Sequence, residues 1–516
     1  MSLSSLCSAS TFTTPSLFGA NILSINASLV TGYSTTVLDT YWFNHPTTTV
    51  TNATFCNVTV TYTHPSQNDY INVNIWLPPA DEWNSRLIAV GGGGWVAGGT
   101  QFFLATTSMS GAVGTGYATM TSDAGLGAAQ DASGWALLSR GNVNLYNLQN
   151  LASVSLNDEA IIGKSIINDF YGTPPKYSYW SGCSQGGRQG LMLAQRYPTL
   201  YDGIAASAPA IYWNSLFMAM IWPQLIMNLA GEYPHGCELD AITAAAVAAC
   251  DPIDGVTDGL IYDIKACDFD PFSVVGNVFN CSGTSMQISQ IAAVVANATW
   301  SGPVTSDGKF LAFGQNRGAD LSGSLTGQAL AATTCTNGTC FGAPISLGIE
   351  WPELFIEKGA EFNLSSLTHD DYDQLFHKGY QQFNSIIGTD DPDLSNFKAA
   401  GGKMIAYHGL ADQIIPTTST ENYYDAVTAL DSNSQDFYRL FLAPGIQHCA
   451  NGNGGQPTTT FEALVAWVEN GTIPETLPVT HTNNGTTFNQ ILCPYPSKVA
   501  YDGTGDPTVE TSYSCS

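Results

Sequence analysis

The sequence predicts an α/β fold in which a long insertion interrupts the sheet. Three observations carry this expectation. Short apolar strands alternate with amphipathic helices from Arg86 to Pro209, the alternation resumes at Lys403, and between about residues 210 and 395 it breaks down. We therefore expect a core domain built from residues 1–209 and 396–516, with 210–395 as an inserted domain.

The elements follow in order. Up to Leu77 the chain reads as β, because residues 57–63 and 70–77 alternate with period two across the turn that begins His64-Pro65. Residues 86–90 form a short buried strand that runs into four glycines, Gly91 to Gly94, and residues 117–121 form another. Residues 156–171 have helical spacing, with Ile161, Ile162, Ile166 and Ile167 on one side. A strand at 177–181, a helix at 187–196 and a strand at 203–207 follow. The insertion holds an Ala-rich helix at 241–249 and several Gly/Asp turns. Beyond it come a strand at 403–408, a helix at 419–430, a strand at 437–442 and a helix at 461–468.

Composition excludes several function classes. The chain of 516 residues carries 42 acidic and 15 basic side chains, a formal net charge of −27. Phosphate binding needs lysine and arginine clusters, so nucleic acid is excluded as a partner. Anionic membranes are disfavoured for the same reason. The most apolar stretch, 216–230, is broken by Pro223, Gln224 and Asn228 and is no membrane span. Twelve cysteines with no Cys-x-x-Cys pair point to disulfides rather than zinc, and the close pairs Cys335/Cys340 and Cys250/Cys267 read as loop staples. Nine Asn-x-Ser/Thr sequons, among them Asn280, Asn337 and Asn484, agree with a secreted protein. The start Met1-Ser-Leu-Ser-Ser has no basic region followed by a long apolar run, so a processed form is expected.

The chemistry starts at Gly182-Cys183-Ser184-Gln185-Gly186, which fits Gly-x-Ser-x-Gly. Its place between a strand and a helix is the sharp turn that exposes a nucleophilic serine on top of an α/β-hydrolase sheet. A serine hydroxyl needs a base, and the base needs a carboxylate, in the chain order Ser, Asp/Glu, His for this fold. His448 stands in a loop after the 437–442 strand and before the last helix, and it is the expected base. His408, at the end of the 403–408 strand, is its rival. Asp412, four residues further on, is the expected acid. An oxyanion hole would take the N–H of Gln185 and one from the glycine run, Gly93 or Gly94. That run lacks the Lys and Ser/Thr of a phosphate loop, so no nucleotide site is expected. A further motif, 250–261, places Asp251, Asp254 and Asp258 in a Gly-containing turn. Such oxygen ligands suit Ca²⁺, although Tyr262 stands where an EF-hand has its closing Glu and acidic turns also occur without metal.

Cys183-Ser184, Asp412 and His448-Cys449 together resemble the Cys-Ser, Asp, His-Cys signature of the tannase and feruloyl esterase family. The resemblance spans Cys7 to Cys515. It implies an α/β-hydrolase core with 210–395 as a lid over the site, and a disulfide between Cys183 and Cys449 that ties nucleophile to base. It also implies the pairs Cys7–Cys56, Cys250–Cys267 and Cys493–Cys515, leaving Cys237–Cys281 and Cys335–Cys340. It further implies a structural Ca²⁺ in the lid, with the carbonyls of Val256 and Leu260 beside the three aspartates. The activity implied is hydrolysis of phenolic-acid esters, small molecules or groups attached to plant polysaccharide. Within the family, ferulate and gallate remain alternatives. The isoleucines after Asp412 favour a hydroxycinnamoyl arm, hence a feruloyl esterase over a tannase. The seven lid aromatics Tyr212, Trp213, Phe217, Trp222, Phe341, Trp351 and Phe355 are expected to supply more core than pocket. Two other classes remain open: a calcium-dependent carbohydrate-binding protein on an inactive hydrolase fold, and a serine peptidase.

Overall fold

Nine strands make the central sheet of the computed structural model, which describes residues 3–516. They are β1 (Asn21–Val37), β2 (Thr48–Thr63), β3 (Ile71–Leu77), β4 (Arg86–Val90), β5 (Ala118–Ser122), β6 (Tyr177–Cys183), β7 (Gly203–Ser207), β8 (Lys403–Gly409) and β9 (Tyr438–Ala443). Their order is β1-β2-β3-β5-β4-β6-β7-β8-β9. β1, β2, β3 and β5 pair antiparallel, and from β5 to β9 every pairing is parallel. Helices α1 (Phe103–Gly114), α2 (Ser155–Tyr171) and α3 (Gln185–Arg196) precede the insertion. Within it lie α4 (Trp213–Ala230), α5 (Gly236–Cys250), α6 (Gln290–Ser301) and α7 (His369–Ile387). α8 (Thr417–Leu430) and α9 (Thr460–Asn470) follow.

Strand side chains alternate between two apolar layers, as a sheet covered on both faces requires. Leu87, Ala89, Met404 and Ala406 pack with α2, α3 and α8 on one face. Ile88, Val90, Ile405 and Tyr407 pack with α1 and α9 on the other. This architecture is that of an α/β-hydrolase, in which functional side chains gather at the carboxyl ends of the parallel strands.

The chain leaves the sheet after β7 and returns at β8, its parallel neighbour, where Lys403 pairs with Gly203. The intervening segment is held to the core by an apolar cluster. Trp95, next to the glycine run, is fully buried among Trp213, Phe217 and Phe355, with ring centroids 5.2, 4.8 and 5.1 Å away. Its Nε1–H donates to the carbonyl of Leu347, 3.3 Å away. Loss of a buried tryptophan ring costs about 3–5 kcal/mol, more than a surface ion pair contributes, so this ring outweighs any exposed contact in anchoring the insertion.

Six disulfides link Cys7–Cys56, Cys183–Cys449, Cys237–Cys281, Cys250–Cys267, Cys335–Cys340 and Cys493–Cys515. Among the described residues no helix is long and apolar enough to cross a membrane. Two local differences from the sequence expectation stand out. α3 starts at Gln185 rather than Gly187, because Ser184 itself occupies the position before the first helical residue. The long edge strand β1 lies in the stretch expected to be β, but its bounds were not assigned, because most of its side chains are exposed or half-buried and mark no core face.

Candidate active site

β6 ends in a turn that only glycine-rich sequence can make. Ser184 holds φ +62° and ψ −122°, outside the regions that L-residues favour. A Cβ on Gly182 would lie 2.6 Å from the backbone of Gly186, and one on Gly187 would lie 2.3 Å from the carbonyl oxygen of Ser207. The strained residue is over-determined by its neighbours. Ser184 N–H donates to the Ser207 carbonyl (3.0 Å), and its own carbonyl accepts from Arg188 (2.9 Å) and Ala210 (3.2 Å). Beneath the turn, Asn44 and His45 reach Ser181 Oγ at 3.2 and 3.1 Å, and Ser207 Oγ donates to Asn44 Oδ1. Burial pushes the His45 imidazole down to about 3, so it supports the turn as a neutral ring.

Three loops converge on Ser184. His448 Nε2 lies 2.9 Å from Ser184 Oγ, and His448 Nδ1 lies 2.8 Å from Asp412 Oδ2. Asp412 sits in the loop after β8, fully buried, with Oδ1 accepting from the backbone N–H groups of Ile414 and Ile415 at 2.8 Å each. Burial opposes its ionisation. The charge of His448 and hydrogen bonds from His408 and His448 overcome that and hold the carboxyl well below the usual range. The rival histidine has a different place. His408 Nε2 lies 3.1 Å from both Asp412 Oδ2 and the Ile415 carbonyl, and its Nδ1 lies 2.8 Å from Thr420 Oγ1. Two acceptors at one nitrogen require that Nε2 carry the proton. His408 therefore donates to the far side of the same carboxylate and does not reach the serine. Cys183 and Cys449, the neighbours of Ser184 and His448, are bonded to each other.

The glycine run separates its two candidate donors. Gly93 N–H is committed to the Val96 carbonyl at 3.1 Å, in a small antiparallel bridge. Gly94 N–H has no protein partner among the described residues, and Gly94 has φ +57°. Of the two, only Gly94 N–H is free of a protein partner among the described residues. A side chain at Gly94 would meet Gln130 Oε1 at 2.3 Å, so Gln130 covers this loop. Gln185 is fixed from behind by Arg188 Nε, 2.6 Å from its Oε1, while the Arg188 guanidinium also caps the carbonyls of Leu151 and Ala152. A hydroxyl, imidazole and carboxylate at these distances can transfer a proton from Ser184 to His448, and the free N–H groups can stabilise charge on an oxygen beside them.

Of the seven aromatics expected in the insertion, Trp213, Phe217, Trp222, Trp351 and Phe355 are buried in one apolar cluster with Trp95, and Phe341 is exposed. Ile414 lines the cavity beside His448. Sequence reading missed Gln413, whose Oε1 accepts the His448 N–H at 3.0 Å. Its position next to Asp412 was the available signal. Arg188, Gln130 and the Asn44–His45 support carried none.

The acidic turn after α5 brings its three aspartates together. Asp251 accepts from the N–H groups of Asp258 and Gly259, Asp254 from Val256, and Asp258 from Leu260. Burial first, then the charges of Asp258 and Asp251, push the Asp254 carboxyl up to about 7. Among the described residues no lysine or arginine pairs with any of the three. Asp258 has His481 Nε2 at 3.6 Å and Gln490 Nε2 at 3.0 Å, both from the hairpin formed by Leu477–Asn483 and Thr486–Leu492. A turn of clustered carboxylates without a basic neutraliser fits a hard divalent cation such as Ca²⁺. A second grouping, His235 with Cys237 and Cys281, offers no thiolate because the two sulfurs are bonded to each other.

The family model described as "Tannase and feruloyl esterase" matches residues 56–516. A protein of Arthroderma benhamiae named "Probable feruloyl esterase" is 40% identical over 91% of this chain and 86% of its own length. A tannase of Aspergillus oryzae is 29% identical, over 87% of this chain and 84% of its own. Among solved structures, tannin acyl hydrolase from Aspergillus niger superposes with a TM-score of 0.88 at 28% identity, covering 100% of this chain and 95% of that one. Feruloyl esterase B from Aspergillus oryzae superposes with a TM-score of 0.78 at 25% identity, covering 97% of each chain. With its α/β-hydrolase sheet and a match running from Cys56 to the last residue, the chain belongs to the tannase and feruloyl esterase family and is a carboxylic ester hydrolase.

Proposed function

We propose that the protein is an extracellular feruloyl esterase that releases hydroxycinnamic acids from plant cell-wall material through an acyl-enzyme on Ser184. The reaction rests on one observation, the hydrogen-bonded chain from Ser184 through His448 to Asp412. Ser184 Oγ attacks the ester carbonyl while His448 Nε2 takes its proton. The N–H groups of Gln185 and Gly94 hold the oxyanion. His448 returns the proton to the departing alkoxide, and water, deprotonated by the same imidazole, releases the acid. Asp412 keeps the Nδ1 proton in place and balances the imidazolium charge. The choice of acid is supported by the name of the 40%-identical relative. The close superposition on tannin acyl hydrolase supports a second reading, cleavage of galloyl esters.

Parallel assays on methyl ferulate and methyl gallate, with Ser184→Ala as the blank, test both readings. We expect Ser184-dependent turnover of both, faster on ferulate. Faster turnover of gallate selects the tannase reading, and no Ser184-dependent turnover of either removes the substrate class.

We further propose that the turn after α5 binds Ca²⁺ through the carboxylates of Asp251, Asp254 and Asp258 and the carbonyls of Val256 and Leu260. The ion would offset the mutual repulsion of the carboxylates. Because Asp258 is bonded to Gln490 and its carbonyl accepts from Asn483 Nδ2 at 2.6 Å, the turn joins the lid to the C-terminal hairpin. Chelation is expected to lower the thermal midpoint by several degrees, with Ca²⁺ restoring it and Mg²⁺ not. An unchanged midpoint after exhaustive chelation and metal analysis would refute the site.

A further inference from the structure

Gln185 is the first residue of α3, so its backbone N–H has no carbonyl partner inside the helix and is open to an oxyanion. How well that donor is aimed depends on what holds the residue. Its buried side chain makes one hydrogen bond among the described residues. Oε1 accepts from Arg188 Nε at 2.6 Å, while Nε2 has no protein partner.

The Arg188 guanidinium is fully buried, and no carboxylate pairs with it among the described residues. The charge that acts on it is the like charge of Arg196. An ion buried without a counter-ion carries a large desolvation cost, so stability does not explain its presence. Its donors go instead to neutral acceptors on three separate segments. Nε holds Gln185 in α3. Nη2 and Nη1 reach the carbonyls of Leu151 and Ala152 at 2.8 and 2.9 Å, and Nη1 also reaches Thr389 Oγ1 at 3.3 Å. The two carbonyls belong to the π-turn Asn150–Val154, which breaks the regular helical ladder just before α2. That turn is itself anchored, because Asn150 Nδ2 donates to Asp69 Oδ2 at 3.2 Å.

Thr389 marks the neck of the insertion. Its N–H donates to the carbonyl of Ile211 at 3.1 Å, so the chain leaving for the insertion and the chain returning from it are bonded to each other. Its carbonyl accepts from Gln195 Nε2 of α3 at 3.0 Å. The guanidinium also lies over the ring of Trp213, the first residue of α4, 5.5 Å from its centroid.

We propose that Arg188 is a positioning residue, which aims the Gln185 N–H at the oxyanion and, through Thr389, makes that aim depend on the insertion being seated on the core. A planar fork of donors can grip three segments at once, which a flexible ammonium cannot. The inference rests on the Ser184 reading above and adds to it what controls one half of the oxyanion hole.

The test uses the full chain, well below its thermal midpoint. Arg188→Met is expected to lower kcat about 10²-fold while KM stays nearly unchanged, because Arg188 acts on the transition state through Gln185. Phenylboronic acid gives an independent readout. Ser184 Oγ bonds to boron, the serine proton passes to His448, and the boron becomes a tetrahedral anion. Its inhibition constant should rise in parallel with the fall in kcat. Arg188→Lys, which keeps the charge without the fork, carries the same test should the methionine variant not fold. Thr389→Val removes one acceptor and is expected to lower kcat about fivefold, the scale of one ordinary hydrogen bond. In the Arg188→Met background it should lower kcat no further. A folded Arg188 variant with kcat within about threefold of the parent, or with an unchanged boronate constant, would overturn the positioning role. Equal losses from Thr389→Val in both backgrounds would overturn the link to the insertion. Absence of Ser184-dependent turnover in the parent would instead reject the esterase reading, and this inference with it.

Discussion

Asp412→Asn is expected to lower kcat about 10⁴-fold, the scale known for replacing a triad aspartate by its amide. The structure explains why no rotamer rescues it. Oδ1 faces two backbone N–H donors and Oδ2 faces two imidazole N–H donors, from His448 and His408. Asparagine has one acceptor oxygen. Whichever way it turns, its NH₂ confronts a pair of donors. If the oxygen stays on the backbone side, His448 must give up the Nδ1 proton and present an N–H to Ser184 instead of a base. If it stays on the imidazole side, two buried backbone donors lose their partner, at about 1–3 kcal/mol each. Measuring kcat and the thermal midpoint of the variant together checks this, and a kcat within tenfold of the parent would refute the role. The pH dependence has a definite sign. The folded carboxyl titrates below its ordinary value of 3.8, so ionised Asp412 contributes stability above that pH. The contribution is lost only as pH falls through the lower folded value. Any loss of kcat at mildly acidic pH therefore belongs to another group.

The second large effect is expected from Cys183→Ala/Cys449→Ala. The bond closes a loop with a sequence separation of 266, for which chain entropy assigns about 5 kcal/mol of stabilisation as an upper figure. The kinetic consequence is more specific. The bond fixes the residue before the serine to the residue after the histidine, and so sets the 2.9 Å contact between Oγ and Nε2. A misplacement of about 1 Å can cost about 10²-fold in rate, and a loss of that order in kcat, well below the midpoint of unfolding, is the expected outcome. Full kcat in the folded double variant would show that the 2.9 Å contact does not depend on the bond.

How much of this was legible in the sequence depends on the kind of signal each residue left. The turn at Ser184 was legible because its glycines are forced by contacts such as that between Gly182 and Gly186. Asp412 and His448 were legible through chain order and their place after β8 and β9. The β character of the stretch holding β1 was legible, but its bounds were not, because an edge strand with mostly exposed faces leaves no buried face to mark its ends. The choice between Gly93 and Gly94 was hidden for a different reason. The two residues are identical, and only the hydrogen bond to Val96 separates them. His408 read as a competitor to His448 because sequence shows that both are near Asp412 but not that they approach Oδ2 from different sides.

The position of the insertion also sets when the protein becomes active during its own synthesis. The serine is laid down at position 184, but its acid and base follow the lid, at 412 and 448. A chain still emerging from the ribosome can complete neither the β7–β8 pairing nor the Cys183–Cys449 bond until the whole lid has been made. Nonlocal pairings of this kind form slowly. With the roles proposed above, the nascent polypeptide has no activated serine until residue 448 has been translated, and a product truncated within 210–395 carries Ser184 without Asp412 or His448.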